Sequence, residues 1–184
     1  EIFLMLAQHD FGLLEQGAMG GLGSKLLLRL RKADRFGRLR VCFPVVRGLE
    51  GQEKAIKVHS KVLIVDDALL RVGTSNMNNR SMGLDTECDL AIEAYSEPNL
   101  QKPIRSFLDR LLGEHLGVSP EKVRAAVELE GSLLKGIDSL PEGERKFVYP
   151  MEVDVPRWFD VVPLDEEILD PEHPVTKEKK IKKF

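Results

Sequence analysis

The segment 59–76 holds residue types and spacings suited to chemistry on a phosphate ester. It begins with His59 and Lys61, continues with Asp66, and ends with the run Gly-Thr-Ser-Asn at 73–76. A histidine can attack phosphorus or move a proton near neutral pH. A lysine supplies fixed positive charge for phosphoryl oxygens. The full spacing therefore predicts a phosphodiesterase-type site, which a lone histidine in an apolar stretch would not.

A β-strand over residues 58–65 is predicted to carry the first part of this set. Side chains alternate between the two faces of a strand, so His59 and Lys61 are expected to point to the same side. Apolar residues occupy both faces of this stretch. The strand is therefore expected to lie buried in a sheet, with its polar pair at one end.

A hairpin is predicted to bring the rest of the set back beside that pair. The dipeptide Asp66-Asp67 has turn chemistry, and residues 69–72 indicate the returning strand. Gly73 is expected to let the backbone break from the strand. Polar groups are then available beside the histidine and the lysine from three residues: Thr74, Ser75 and Asn76.

The segment resembles the HKD motif of the phospholipase D superfamily, H-x-K-x4-D-x6-G-[ST]-x-N. The wider stretch 39–94 is similar to the C-terminal half of bacterial phospholipase D-like proteins, most closely over 72–87. Enzymes of this family carry two such motifs, whose histidines flank one phosphodiester. The resemblance therefore implies the C-terminal half of a bacterial-type phospholipase D. Such an enzyme cleaves or exchanges glycerophospholipid headgroups through a phosphohistidine.

The resemblance also implies roles for four catalytic residues. His59 is the nucleophile or the acid/base, and the family's C-terminal histidine usually has the proton-transfer role. Lys61 and Asn76 hold nonbridging phosphoryl oxygens and stabilise transition-state charge. Glu87 matches the acid that orients the imidazole through its other nitrogen. No metal or cofactor is implied.

A further set of residues is expected to support these four rather than to contact the phosphate. Asp66 is expected to tie the turn together through hydrogen bonds to the backbone. Thr74 stands where serine is commoner and keeps the hydroxyl group. The complete supporting set is Asp66, Gly73, Thr74, Ser75, Asn78, Arg80 and Ser81.

The chain contains one motif, which is half of the usual site. The expected partner is the N-terminal HKD half of the same protein, the expected substrate surface is a phospholipid membrane, and the isolated chain is expected to be inactive or nearly so. A homodimer that pairs His59 with His59 across a two-fold axis is an alternative, as in single-motif nucleases. The motif also fits a cardiolipin synthase-like transferase or a non-catalytic phospholipid-binding module.

Composition places the chain among ordinary globular proteins. It has 184 residues, 42% hydrophobic and 31% charged, with a net charge of −3. This acidic balance disfavours nucleic acid as the partner. Cys42 and Cys88 form neither a disulfide framework nor a metal cluster, and both are expected to be buried free thiols, although a bridge between them stays open. The cytoplasm or a membrane surface is the favoured location, and the missing initiator methionine suggests a fragment of a larger protein.

Alternating strand and helix patterns predict an α/β fold, a phospholipase D-like lobe with a mixed β-sheet flanked by helices. The lobe is expected to cover residues 1–140. An extended Pro-rich wrap packed on the lobe is expected over 141–176, followed by a disordered basic tail over 177–184. Helices are predicted near 25–34, 96–116 and 119–130. The first of these is basic and leucine-rich, and its cations are expected to form a solvated face rather than a phospholipid-binding patch.

Overall fold

The computed structural model describes residues 1–7, 26–48, 51–95 and 97–148. Two β-sheets and several helices alternate along these residues. The strands are β1 (Ile2–Met5), β2 (Leu39–Arg47), β3 (Glu53–Ala55), β4 (Lys61–Val65), β5 (Leu69–Gly73), β6 (Asp89–Glu93) and β7 (Arg145–Val148). The helices are α1 (26–33), α2 (Asn79–Gly83), α3 (Pro98–Leu116), α4 (Pro120–Glu130) and α5 (Leu133–Ser139).

The first sheet is mixed and is built around β2. Strand β1 pairs in parallel with the first half of β2. Strands β3 and β7 both pair antiparallel with Val45 and Val46 of the second half. Because one strand has only two hydrogen-bonding edges, β3 and β7 must lie on opposite sides of β2. The predicted α/β class with a mixed sheet and flanking helices is confirmed.

The main hydrophobic core lies between this sheet and helices α3, α4 and α5. Phe3 of β1 and Phe147 of β7 bring their ring centroids to 5.1 Å, a tilted aromatic contact. Gly136 of α5 has no room for a side chain, because a Cβ there would lie 2.7 Å from the Val127 Cα of α4. The buried cluster comprises Cys42, Leu112, Leu116, Val123, Val127, Ile137 and Phe147.

A buried carboxylate joins two of the core helices. Asp109 of α3 is 1% exposed and pairs with Arg105 of the same helix at 3.2 Å and with Arg124 of α4 at 2.8 Å. The hydrogen bond to Asp109 raises the pKa of the Arg124 guanidinium. A charge at this depth is tolerated only when it is paired, so this ion pair constrains how α3 and α4 cross.

Helix α5 was not predicted from the sequence, because part of its N-terminal cap comes from the other end of the chain. The Ser132 side chain accepts from Lys135 N, as an ordinary N-cap. The carboxylate of Glu1 accepts from Leu133 N at 2.8 Å and from Ser132 Oγ at 2.5 Å. These bonds satisfy donors at the start of α5 that have no partner within the helix.

The two long helices, α3 and α4, begin close to the positions that their local sequence signals indicate. Ser119 caps α4 by accepting from Lys122 N, and proline follows it at the first helical position. Helix α3 starts at Pro98 after Glu97, which makes no side-chain capping bond. The expected capping serine, Ser96, lies outside the described residues.

The two cysteines differ in environment. Cys42 is a buried core residue, and burial raises the pKa of its thiol to about 12. Cys88 is exposed, so the expectation that it is buried is wrong. It lies just before β6, a strand that is itself largely exposed. Both thiols are free, so a disulfide between them is excluded.

The second sheet is an antiparallel meander, β4-β5-β6, and it carries the motif. The expectation that the motif strand is buried is wrong, because Leu63 and Val65 of β4 are 47% and 45% exposed. The predicted hairpin is confirmed, and its turn is closed by a bond from Ala68 N to Val65 O at 3.1 Å. Asp66 adopts a left-handed φ of 50°, which aspartate tolerates better than most residues. The Asp66 side-chain bonds expected for this turn are absent from the described residues.

Strand β7 falls within the segment expected to form the Pro-rich wrap. Residues 145–148 extend the first sheet and bury Phe147. The remainder of that segment and the basic tail lie outside the described residues, so the proposed domain boundaries stay predictions. Among the helices that the structure describes, none is both long and apolar enough to cross a bilayer.

Candidate active site

One row of residues crosses the end of the second sheet. The register pairs Lys61 of β4 with Gly73 of β5, and Gly73 with Asp89 of β6. Directly paired residues point to the same face of a sheet. Lys61 and Asp89 therefore project from one face, on either side of a residue that has no side chain.

Gly73 is required here for space rather than for an unusual backbone conformation. A Cβ at this position would lie 1.7 Å from Asp89 Oδ1 and 2.7 Å from Asp89 Cα. Gly73 is still paired on both sides as the last residue of β5, and its φ is not in the left-handed region. This differs from the expectation that Gly73 lets the chain leave the strand. Because Gly73 has no side chain, the Asp89 carboxylate can lie directly over it.

Asp89 holds the segment that follows β5. Its carboxylate accepts from Arg71 Nη2 at 2.6 Å, from Ser75 N at 3.3 Å, and from the Ser75 hydroxyl. The Arg71 guanidinium first, and the Ser75 hydroxyl next, lower the pKa of this carboxyl to about 2. Ser75 is buried by this arrangement. The turn that leads to Asn76 is therefore fixed by a side chain 13 residues beyond it.

Asp89 and Arg71 were not predicted from the sequence. Each stands two positions from a residue of the predicted site, Glu87 and Gly73 respectively. Their opposite charges on antiparallel neighbours were the available signal. That signal is visible only once the register of β5 against β6 is known.

A second pair of contacts ties the turn to the residues before β6. Thr74 Oγ1 donates to Glu87 Oε2 at 2.5 Å and accepts from Cys88 N at 2.9 Å. Thr74 N also donates to Cys88 O at 3.2 Å. Glu87 thus lies at the motif, with its carboxylate on Thr74. Within the described residues it makes no hydrogen bond to His59, so its role in orienting the imidazole stays a prediction.

His59 lies just before the strand rather than inside it. Strand β4 begins at Lys61, because its partner β5 ends at Gly73 and offers no residue to pair with positions 58–60. The alternation argument therefore applies from Lys61 onward and does not set the direction of the exposed imidazole. Lys61 Nζ donates to the backbone O of His59 at 2.8 Å, which holds the two residues together.

The Lys61 ammonium group can still donate hydrogen bonds to an anion. An ammonium group has three donors, and the bond to His59 O uses one of those on Lys61. Asn76 is exposed at the end of the turn held by Asp89. A common pocket for the His59, Lys61 and Asn76 side chains stays a prediction. The contacts described so far support it by placing a cation and an anchored turn at one end of the sheet.

The remaining supporting residues organise α2. Asn78 is its N-cap and accepts from the backbone N of the buried Ser81 at 2.8 Å. Arg80 binds both carboxylate oxygens of Asp85, at 3.1 and 2.8 Å. Arg71 Nη1 lies 3.9 Å from Met82 Sδ, which places α2 beside the face that carries Lys61. Asn78, Arg80 and Ser81 therefore have structural roles in α2 and the residues that follow it, and these roles partly explain why they lie close to the motif.

The hydroxyl groups of Thr74 and Ser75 donate to Glu87 and Asp89, so they serve the structure of the turn. The Lys61 ammonium and the Asn76 side-chain amide are the donors of the predicted set that suit phosphoryl oxygens. Across the ranges that the structure describes, no group of three or more His, Cys, Asp or Glu side chains is placed to hold a metal ion.

Comparison with known proteins supports the resemblance drawn from the motif. The family model for phospholipase D matches residues 44–132, which include β4, β5, β6 and the whole motif. This part of the chain is therefore similar to the phospholipase D family, as the motif indicated. The resemblance stated from the motif is confirmed at that level.

Curated relatives point in the same direction. Phospholipase D alpha 1 of Nicotiana tabacum is 38% identical over 82 residues, 41% of this chain and 10% of the relative. Phospholipase D alpha 2 of Brassica oleracea var. capitata is 37% identical over 82 residues, with the same coverage. Phospholipase D alpha 1 of Cynara cardunculus is 40% identical over 75 residues, 38% of this chain and 9% of the relative.

The chain thus spans about a tenth of the length of the curated relatives that it matches. These relatives are plant enzymes, so the comparisons do not support the bacterial type that the resemblance had suggested. No solved structure matches the chain.

The ionised Asp89 carboxylate is expected to make the free energy of unfolding depend on pH. Its pKa is about 2 in the folded protein, below the value of about 3.9 for an unperturbed aspartate. A lowered pKa stabilises the folded state above about pH 4, and this contribution is lost as the pH falls towards 2. Urea unfolding midpoints measured between pH 7 and pH 2.5 should fall less steeply for Asp89→Asn than for the natural chain. If the midpoints of the two chains fell in parallel with pH, Asp89 would not be the source of this pH dependence.

Proposed function

We propose that this chain is the HKD half of a phospholipase D-type phosphodiesterase or transphosphatidylase that acts on glycerophospholipid headgroups. The observation that carries the proposal is the complete motif inside the segment that matches the family, with Lys61 in register with Gly73 and Asp89. The relatives' name, phospholipase D, supports the choice of substrate class.

Each motif residue has a role in the proposed reaction. Lys61 and Asn76 hold two nonbridging oxygens of the phosphodiester and stabilise the charge that grows on them. His59 protonates the leaving alcohol, or serves as the nucleophile that forms a nitrogen–phosphorus bond as the oxygen–phosphorus bond breaks. Water or an acceptor alcohol then attacks phosphorus and releases the histidine. Glu87, held at the motif by Thr74, orients the imidazole.

The proposed reaction needs a second histidine. Attack on phosphorus and protonation of the leaving oxygen take place on opposite sides of the phosphorus atom, so one imidazole cannot serve both in the same step. We assign the second histidine to an N-terminal HKD half of the same protein, and the substrate to a phospholipid membrane surface. A homodimer would instead supply it from a second copy of His59.

Complementation tests this proposal. The purified chain alone should release little headgroup from phosphatidylcholine, and addition of the N-terminal HKD half should raise the rate by about 10²–10⁴-fold. The N-terminal half alone is the control. Light scattering should report the oligomeric state in each mixture, and phosphatidylglycerol as acceptor should separate transfer from hydrolysis.

Two outcomes would contradict the proposal that this chain supplies only half of a lipid-cleaving active site. Rapid headgroup release by the chain as a monomer would show that one motif is sufficient. DNA cleavage by a dimer of the chain, without headgroup release, would replace the lipid enzyme by a single-motif nuclease.

A further inference from the structure

The charges of this acidic chain are unevenly distributed. Residues 26–40 contain six of its 27 Lys and Arg residues and one of its 30 acidic residues. This stretch covers α1 and the turn between α1 and β2. The protein therefore presents a local basic surface despite its net charge of −3, and such surfaces attract polyanions.

Helix α1 turns its cations outward. Leu27 faces the core and is 4% exposed, whereas Arg29 and Lys32 on the far side are exposed. Leu26 and Leu28 flank these cations and are 44% and 42% exposed. The sequence favoured a solvated face over a phospholipid-binding patch at this helix. The two exposed leucines beside the cations favour the second interpretation, because this face combines positive charge with exposed apolar side chains.

The turn after α1 presents an aromatic ring at its tip. Phe36 is 79% exposed. The turn beneath it is ordered, because the Asp34 carboxylate accepts from Arg38 N and Leu39 N, each at 2.9 Å, and Gly37 adopts a left-handed φ of 63°. The Arg38 guanidinium carbon lies 5.2 Å from the ring centroid of Phe36. Asp34, the only acidic residue of 26–40, therefore stabilises a turn that places the Phe36 ring beside the Arg38 guanidinium.

We propose that residues 26–38, here called the basic turn surface, dock the protein on an anionic phospholipid bilayer. Headgroup phosphates pair with Arg29, Lys32 and Arg38, while Phe36 enters the boundary between headgroups and acyl chains. The proposal deepens the proposed function, on which it rests, by giving the lipid enzyme a surface for its substrate. The exposed leucines and phenylalanine favour a bilayer over a nucleic acid, whose backbone offers them no apolar partner.

Vesicle sedimentation of the 184-residue chain tests this surface without any enzyme assay. The chain should bind vesicles of phosphatidylcholine with about 30% phosphatidylglycerol at low salt, and bind pure phosphatidylcholine vesicles weakly. Arg29→Gln with Lys32→Gln should lower the partition coefficient roughly 20-fold. Phe36→Ser should lower it about 10-fold and leave a residual binding that salt removes.

Lys102→Gln with Lys135→Gln is the matched control. It removes the same charge from exposed positions on α3 and α5, and it should leave vesicle binding unchanged. Circular dichroism melts should show that every variant folds. The readout is vesicle binding and not headgroup release, so a failure of docking is distinguishable from a failure of the proposed catalysis.

Three results would overturn the proposal. The first is absence of binding to the anionic vesicles, and the second is an equal loss in the control pair. The third is binding to a DNA duplex that exceeds vesicle binding and is insensitive to Phe36→Ser, which would assign the surface to nucleic acid.

Discussion

Replacement of His59 by asparagine is expected to lower headgroup release by the complemented enzyme about 10²–10⁴-fold, the usual contribution of a positioned acid or base. Asparagine keeps a polar side chain of similar length but can neither shuttle a proton near neutral pH nor form a stable bond to phosphorus. The loss should appear in kcat, because Lys61 and Asn76 are proposed to bind the phosphoryl oxygens and are unchanged in this variant. Steady-state rates on phosphatidylcholine vesicles measure it.

The same variant distinguishes the two roles left open for His59. With a p-nitrophenyl ester of phosphatidic acid the leaving group needs no proton, so a missing general acid should cost far less. A missing nucleophile should cost as much as before. His115→Asn is the matched control, because His115 lies in α3 outside the motif. An unchanged rate for His59→Asn would exclude this residue from the mechanism.

Replacement of Gly73 by alanine is expected to destabilise the second sheet by about 1–3 kcal/mol, the usual cost of overpacking. The new Cβ would occupy the space of the Asp89 carboxylate and approach the Asp89 Cα to 2.7 Å. To relieve this clash Asp89 must move away from Arg71 and Ser75, which frees the turn that carries Asn76. Urea unfolding of the isolated chain measures the loss without any assay of activity.

Two further variants make this experiment specific. Gly83→Ala is the control, because a Cβ at Gly83 meets nothing within 4 Å and should leave stability unchanged or slightly raised. The pair Gly73→Ala with Asp89→Ala should recover only part of the loss, since the backbone contact persists. A fully stable Gly73→Ala chain would contradict the requirement for glycine at this position.

Much of the local structure follows from the sequence. The apolar run at 39–46, the Asp66-Asp67 turn, and the serine and proline before α4 each predict an element that the structure contains. The spacing of His59, Lys61 and Asn76 points to the family. These features are readable because periodicity, turn chemistry and capping depend on residues only a few positions apart.

Tertiary structure alone decided how distant residues support the motif. Asp89 anchors Ser75 because β6 pairs with β5 in one register, and a shift of one residue would turn Asp89 to the other face. Strand β7 joins β2 from a segment expected to be an extended Pro-rich wrap, and Glu1 caps a helix 132 residues away. A local pattern cannot encode these contacts, because they depend on which surfaces meet when the core is buried.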